Sequence, residues 1–178
     1  MTELVRLVYA SYSSSTASLR GIQPEIGTIL TQSRKNNAKA QISGVLYFGD
    51  GCFFQCLEGE VSRVKETYTR IQQDPRHMDA AIIRQEVIPQ RMFKDWSMKY
   101  VPAEQDVQAF LQDHGMTRFD PMNMGADAID DLLKLFQTAT NSDVPVAPAL
   151  AQAQSRTASK ERGLFKRLAG GLGLGNQA

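Results

Sequence analysis

Two apolar, aromatic-rich runs, Ile42 to Phe48 and Cys52 to Leu57, flank Gly49-Asp50-Gly51, and this pattern constrains the chain more than any other. Gly-Asp-Gly is the chemistry of a tight hairpin connection, so the two runs read as antiparallel strands. Upstream, Leu4 to Ala10 is a β-rich run with Leu7 and Tyr9 on one face and Val8 and Ala10 on the other. Both faces apolar means both faces covered, which makes it a central strand. A Ser/Tyr-rich loop, Ser11 to Ser18, leads to Pro24, where a helix can start without losing a hydrogen bond. Ile26, Ile29, Leu30 and Ser33 follow at helical spacing, and the helix is expected to end near Asn36 and Asn37, since asparagine tolerates the left-handed conformation past a helix end.

Downstream of the hairpin, Val61, Val64, Tyr68 and Ile71 recur every three or four residues with charges between them, an amphipathic helix ending before Asp74-Pro75. Ala80 to Ile88 and Trp96 to Val101 supply two more strands. The order β-α-β-β-α-β with a fifth strand is an α+β, ferredoxin-like arrangement with its two helices on one face of the sheet. In that arrangement the first and third strands are expected as parallel neighbours. Val107, Phe110 and Leu111, and then Ile129, Leu132, Leu133 and Phe136, mark two further helices, and these or a second subunit would cover the other face. Three regions are expected: a domain over residues 1–102, a helical extension over 103–138 and a flexible basic tail over 139–178.

Charge follows the same division. The 20 basic and 19 acidic residues leave +1 overall. Beyond residue 138, Arg156, Lys160, Arg162, Lys166 and Arg167 outweigh Asp143 and Glu161, so the tail carries +3 and the rest −2. A near-neutral domain argues against bulk nucleic-acid binding. No run approaches the ~20 apolar residues that span a bilayer, and the first residues lack a signal-peptide pattern, so a cytoplasmic location is expected. In the tail, Asn141 to Ser159 has the composition of a disordered segment. Leu164, Phe165, Leu168 and Leu172 can share a helical stripe suited to an anionic membrane or a partner groove, although the nearby glycines disfavour it.

Gln55 does not fit a plain core. By alternation it shares a face with Phe53 and Leu57, and leaving a buried amide unpaired costs roughly 1–3 kcal/mol. Tyr9, on the first strand, is the nearest partner by topology, and a satisfied Tyr–Gln core pair is one reading. Asn36 and Asn37 are two amides where a cap needs one; consecutive carboxamides can also read a planar heterocycle such as a flavin or pterin. Arg70, Arg76 and His77 could meet a phosphate or ribityl chain, or be solvated charge. Trp96, Met98 and Tyr100 alternate on the last strand as core or cofactor contacts. Cys52 and Cys56, about 13 Å apart at ~3.3 Å per residue, cannot bridge, and two histidines make a metal site improbable. Standard nucleotide-loop and hydrolase motifs are absent, so no enzymatic activity is expected.

Five stretches together resemble the BLUF family, the domains that sense blue light using flavin adenine dinucleotide. They are Arg6 to Tyr9, Asn36 to Leu46, Phe53 to Gly59, Tyr68 to His77 and Phe93 to Met98, in family order across residues 3–101. The resemblance implies noncovalent FAD between the two helices, with FMN or riboflavin as alternatives. It implies that Tyr9 is the photoactive tyrosine and Gln55 the glutamine bridging it to the ring. It further implies that rearrangement or tautomerisation of that glutamine strengthens a hydrogen bond to the flavin carbonyl and gives a small red shift. Asn37 would anchor the pyrimidine edge with Asn36 beside it. Ile29 would touch the ring, and Arg70, Asp74, Arg76 and His77 would surround its edge or the ribityl chain. Trp96 and Met98 would exchange places near Gln55 and relay the signal.

The loop from Ser11 to Arg20 departs from the family in being longer and richer in serine. The expected function is a stand-alone light sensor signalling through its last strand and C-terminal helices to an unidentified protein partner or a change of homo-oligomer. The alternatives are a flavin-dependent oxidoreductase and a non-flavin ferredoxin-like binding module.

Overall fold

The hairpin forms where Gly49-Asp50-Gly51 places it. The computed structural model describes residues 3–14, 24–95, 97–101 and 104–139. Strand β2 (Ser43–Gly49) turns back into β3 (Cys52–Glu60), with Gly49 opposite Cys52. Asp50 at φ 48° and Gly51 at φ 77° supply the two positive φ values of a type I′ turn, whose twist matches that of paired strands. The Asp50 carboxylate also accepts from the Phe119 backbone N–H at 2.6 Å.

The sheet is completed by β1 (Leu4–Ser13), β4 (His77–Val87) and β5 (Lys99–Tyr100), in the order β4-β1-β3-β2-β5. β1 and β3 run antiparallel, from Leu4 opposite Glu60 to Tyr12 opposite Cys52, which corrects the expected parallel pairing. The hairpin is the reason: the crossover leaves β2 pointing along β1, and β3, folded back on β2, must point the other way. The pairing that matters survives the correction, because Tyr9 stands directly opposite Gln55.

Helix α1 (Pro24–Ala40) runs through Asn36 and Asn37 rather than ending at them. Its stop is made by main chain: Gln41, at φ 54°, donates to Ala38 O at 3.2 Å, and Ile42 N–H donates to Asn37 O at 2.9 Å. These two bonds form a Schellman termination, so neither asparagine side chain is needed as a cap. Helix α2 (Val61–Gln72) ends before Asp74-Pro75 and buries Val64, Thr67 and Tyr68.

The last strand is shorter than the sequence suggests. Met98 lies just before β5, and only Lys99 and Tyr100 pair, in parallel, with Val45 and Leu46. The preceding carbonyls are engaged by α1 side chains: Asn37 Nδ2 donates to Ser97 O at 3.0 Å and Arg34 Nε to Met98 O at 3.2 Å. Trp96 lies outside the described residues.

Two helices, α3 (Glu104–Asp113) and α4 (Ala126–Thr138), cover the sheet face opposite α1 and α2. Their buried Val107, Phe110, Leu111, Ile129, Leu132, Leu133 and Phe136 meet Val8, Val45, Tyr47, Phe54, Cys52 and Cys56. Phe136 stacks on Tyr47 at 5.2 Å and meets Phe54 edge-on at 5.8 Å. Each such side chain contributes about 1.5–3 kcal/mol by leaving water. Burial raises both cysteine thiols above their usual range, so they stay protonated in this core. Toward α4, Arg6 sits between Glu58 and Glu86, its cross-strand neighbours, and Arg84 pairs with Asp130. All the described elements belong to the unit Met1–Asp143, and the expected tail segments lie outside the described residues.

Candidate functional site

A cavity of ≈ 190 Å³ opens among residues of α1, α2 and the segment leading into β4, with Gln55 among its lining residues. Helical periodicity assembles one wall, because Ile29, Gln32, Ser33, Asn36 and Asn37 repeat along one face of α1. Thr67, Arg70 and Ile71 supply α2, and Asp74, Arg76 and His77 close the end. The structure thus gathers Ile29, Asn36, Asn37, Gln55, Arg70, Asp74, Arg76 and His77 around one space. Tyr9 is not part of the lining; it reaches the cavity through Gln55. Gln32 and Thr67 were not singled out by sequence, and Ser33 and Ile71 were read only as helix-face positions, although the i+3 and i+4 spacing from Ile29 carried the signal for Gln32 and Ser33.

Tyr9 is fully buried on the sheet, and its hydroxyl donates to Gln55 Oε1. Gln55 Nε2 donates onward to Met98 Sδ at 3.3 Å. Burial, then the neighbouring Tyr68 and the Asp74 carboxylate, push the Tyr9 phenol well above its ordinary range. The hydroxyl therefore keeps its proton and serves as a donor. The Tyr68 ring lies 5.3 Å from the Tyr9 ring, and the Tyr68 hydroxyl is tied to Ala80 O at 3.1 Å. Sulfur is a weak acceptor, so the Gln55 amide nitrogen holds one of its two hydrogens in a bond that a better partner can replace.

Asn37 is buried, with its main chain fixed by the helix stop and its amide reaching Ser97. At the far end, Arg76 clasps the Asp74 carboxylate, with Nε to Oδ1 at 2.8 Å, and reaches across to Gln32 Oε1 at 3.0 Å. That guanidinium holds Asp74 below the usual carboxylate range. Arg70 bonds Thr67 Oγ1 at 3.0 Å and is otherwise exposed at the rim. His77 shares a 2.7 Å hydrogen bond with Ser11 Oγ, and burial lowers its pKa to about 4. At neutral pH it is an uncharged ring, and the cationic groups facing the cavity are the two arginines.

The chain matches the family described as sensors of blue-light using FAD over residues 4–99. Among solved structures, it superposes on the photo-activated state of BlsA with a TM-score of 0.73 and 32% identity, covering 79% of this chain and 99% of that one. BlrB, a BLUF protein in its dark state, gives 0.62 and 29%, covering 77% and 97%. Among curated relatives, photoactivated adenylate cyclase subunit beta of Euglena gracilis is 28% identical over 81% of this chain. The blue light- and temperature-regulated antirepressor BluF of Escherichia coli is 28% identical over 65%. The chain spans 15% of the Euglena protein and 29% of the E. coli one.

Proposed function

The chain belongs to the BLUF family, sensors of blue light using FAD, and we propose that Tyr9, Gln55 and Met98 form its light-responsive hydrogen-bond chain, set beside a flavin in the cavity between α1 and α2. The observation that carries the reading is the continuous run from Tyr9 Oη to Gln55 Oε1 and from Gln55 Nε2 to Met98 Sδ, which meets the cavity at Gln55. The donor set suits a flavin. The amides of Asn36 and Asn37 offer both donors and acceptors to a pyrimidine edge, Ile29 offers an apolar contact to a ring face, and Arg70 and Arg76 favour the anionic end. Gln32, Ser33 and Thr67 add short polar groups suited to a hydroxylated chain.

The bound flavin supplies the absorption of blue light and a ring that accepts an electron and a proton once excited. Tyr9, held as a neutral phenol on a central strand, is the donor nearest Gln55. Gln55 is the movable member, since turning its carboxamide over exchanges the atoms it presents to Tyr9 and to Met98, and tautomerising it changes their donor and acceptor roles in place. One hydrogen bond is worth about 0.5–1.5 kcal/mol net, enough to shift a balanced equilibrium up to roughly tenfold. Such a change is passed to the segment before β5, where Trp96 and Met98 stand as relay residues.

In this reading residues 1–102 hold the flavin, 103–138 form the helical cover that receives the signal, and 139–178 follow as a tail. The sensor itself is not catalytic and works in the cytoplasm, altering a protein partner or a homo-oligomer. Among the described residues, no helix is long and apolar enough to cross a membrane.

The test is an absorption spectrum of the purified protein, expressed with flavin available, before and after blue light. A flavin band that shifts red without added reductant and relaxes in the dark is expected. A colourless protein would favour the non-flavin binding module, and dark turnover of a substrate at the ring would favour the oxidoreductase.

A further inference from the structure

Lys99 follows Met98 directly, and by strand alternation the two side chains address opposite faces of the sheet. Met98 meets Gln55 on the α1 and α2 side. Lys99, 1% exposed, passes to the other side and ends at the last turn of α4. There Nζ donates to Phe136 O at 2.9 Å, to Gln137 O at 3.2 Å and to Ala139 O.

A buried ammonium is costly unless its hydrogens are matched. The final carbonyls of a helix are the groups with no partner within the helix, and they lie at the negative end of its dipole. One side chain from β5 therefore supplies donors to a helix whose last turn contains no basic residue of its own. Burial pulls the ammonium below its ordinary range, and its hydrogens are matched by the three carbonyls.

Resting on the photosensor reading above, we propose that Lys99 is a positioning residue that couples the Gln55–Met98 contact to the C-terminal turn of α4. β5 pairs only two residues with β2. A displacement of Met98 therefore meets little resistance from the ladder and carries Lys99 with it. The turn that Lys99 holds is the one from which residues 140–178 continue in the sequence. Light absorbed on one side of the sheet thus changes the hold on a helix end on the other side, without passing through the packed apolar core between them.

The experiment is hydrogen exchange by mass spectrometry on the full flavin-loaded chain, in the dark and under blue light, for wild type, Lys99→Met and Lys99→Arg. Absorption spectra are taken on the same samples. In the wild type, the amides around residues 136–142 are expected to exchange severalfold faster in light. Lys99→Met is expected to exchange there on the order of tenfold faster than wild type in the dark, with light adding nothing, because charge-assisted hydrogen bonds are lost. Its red shift should remain, since the Lys99 ammonium is engaged at the end of α4 on the opposite face of the sheet. Lys99→Arg keeps the charge and donors and should restore part of the light–dark difference.

A normal red shift with light-independent exchange at this turn in the wild type overturns the coupling alone. So does a full light–dark difference in Lys99→Met. If that variant fails to bind flavin, the wild-type comparison and Lys99→Arg still decide the matter. Absence of any red shift in the wild type overturns the photosensor reading itself.

Discussion

Pairing Tyr9→Phe with Gln55→Leu tests whether these two side chains act as one unit. Tyr9 is fully buried and Gln55 is 3% exposed, and the Tyr9 hydroxyl donates to Gln55 Oε1. Removing the hydroxyl strands a buried carbonyl, and replacing the glutamine strands a buried hydroxyl. Each single change is expected to cost about 1–3 kcal/mol, the penalty of an unpaired buried polar group. The double variant strands neither, so it loses only the net worth of the bond, about 1 kcal/mol. The two effects should therefore fall short of additivity by about 1–5 kcal/mol. Urea unfolding in the dark measures this, with FAD at the same large excess over its dissociation constant for every variant, since bound ligand adds to apparent stability. The same three proteins should show no light-induced red shift. A double-variant cost equal to the sum of the singles, within about 0.5 kcal/mol, would refute the coupling between Tyr9 and Gln55.

Two further outcomes follow from other parts of the structure. Phe136→Ala removes a fully buried ring packed on Tyr47 and Phe54 and should cost about 3–5 kcal/mol in chemical denaturation; a loss below about 1 kcal/mol would mean that α4 does not form part of the core. His77, lowered from 6.5 to about 4 mainly by burial, binds fewer protons folded than unfolded between those values, so stability should be greatest above about pH 6.5 and fall toward pH 4, by up to about 3 kcal/mol. The Asp74 carboxylate, held low by Arg76, adds a loss of the same sign at still lower pH. Denaturation at a series of pH values should show that slope in the wild type and a flatter one in His77→Gln, and equal slopes would contradict the assignment.

The strand and helix order was legible because Gly49-Asp50-Gly51 and the spacing of Val61, Val64 and Tyr68 are local signals that tertiary packing reinforces. Strand direction was not, since the sense of β3 against β1 depends on combining the hairpin with the crossover. The end of α1 misled for a different reason. Asparagine is a good left-handed residue, but Gln41 takes that conformation and the cap is made by main-chain bonds that carry no side-chain signature. Gln55 and Tyr9 stood out because a polar group in an apolar strand demands a partner. Lys99 did not stand out, since its burial exists only once α4 is docked. The Arg6–Glu58–Glu86 row was hidden in the same way, because those residues meet only through strand register.

The two-residue ladder of β5 bears on how this scaffold can be re-engineered. Tyr9 and Gln55 are mounted on β1 and β3, strands flanked on both edges. Met98 is delivered by a segment held mostly by side-chain bonds rather than ladder pairs: Phe93 N–H to Glu58 Oε2 at 2.9 Å, Arg91 to Gln41 O at 2.7 Å, Asn37 to Ser97 O and Arg34 to Met98 O. The tyrosine–glutamine pair and the Met98 segment therefore sit on differently anchored parts of one small domain. A different sequence spliced between Ile88 and Val101 disturbs two ladder pairs and leaves the tyrosine–glutamine pair in place. What the graft must preserve is equally short: a soft acceptor facing Gln55 and a cation beneath the end of α4.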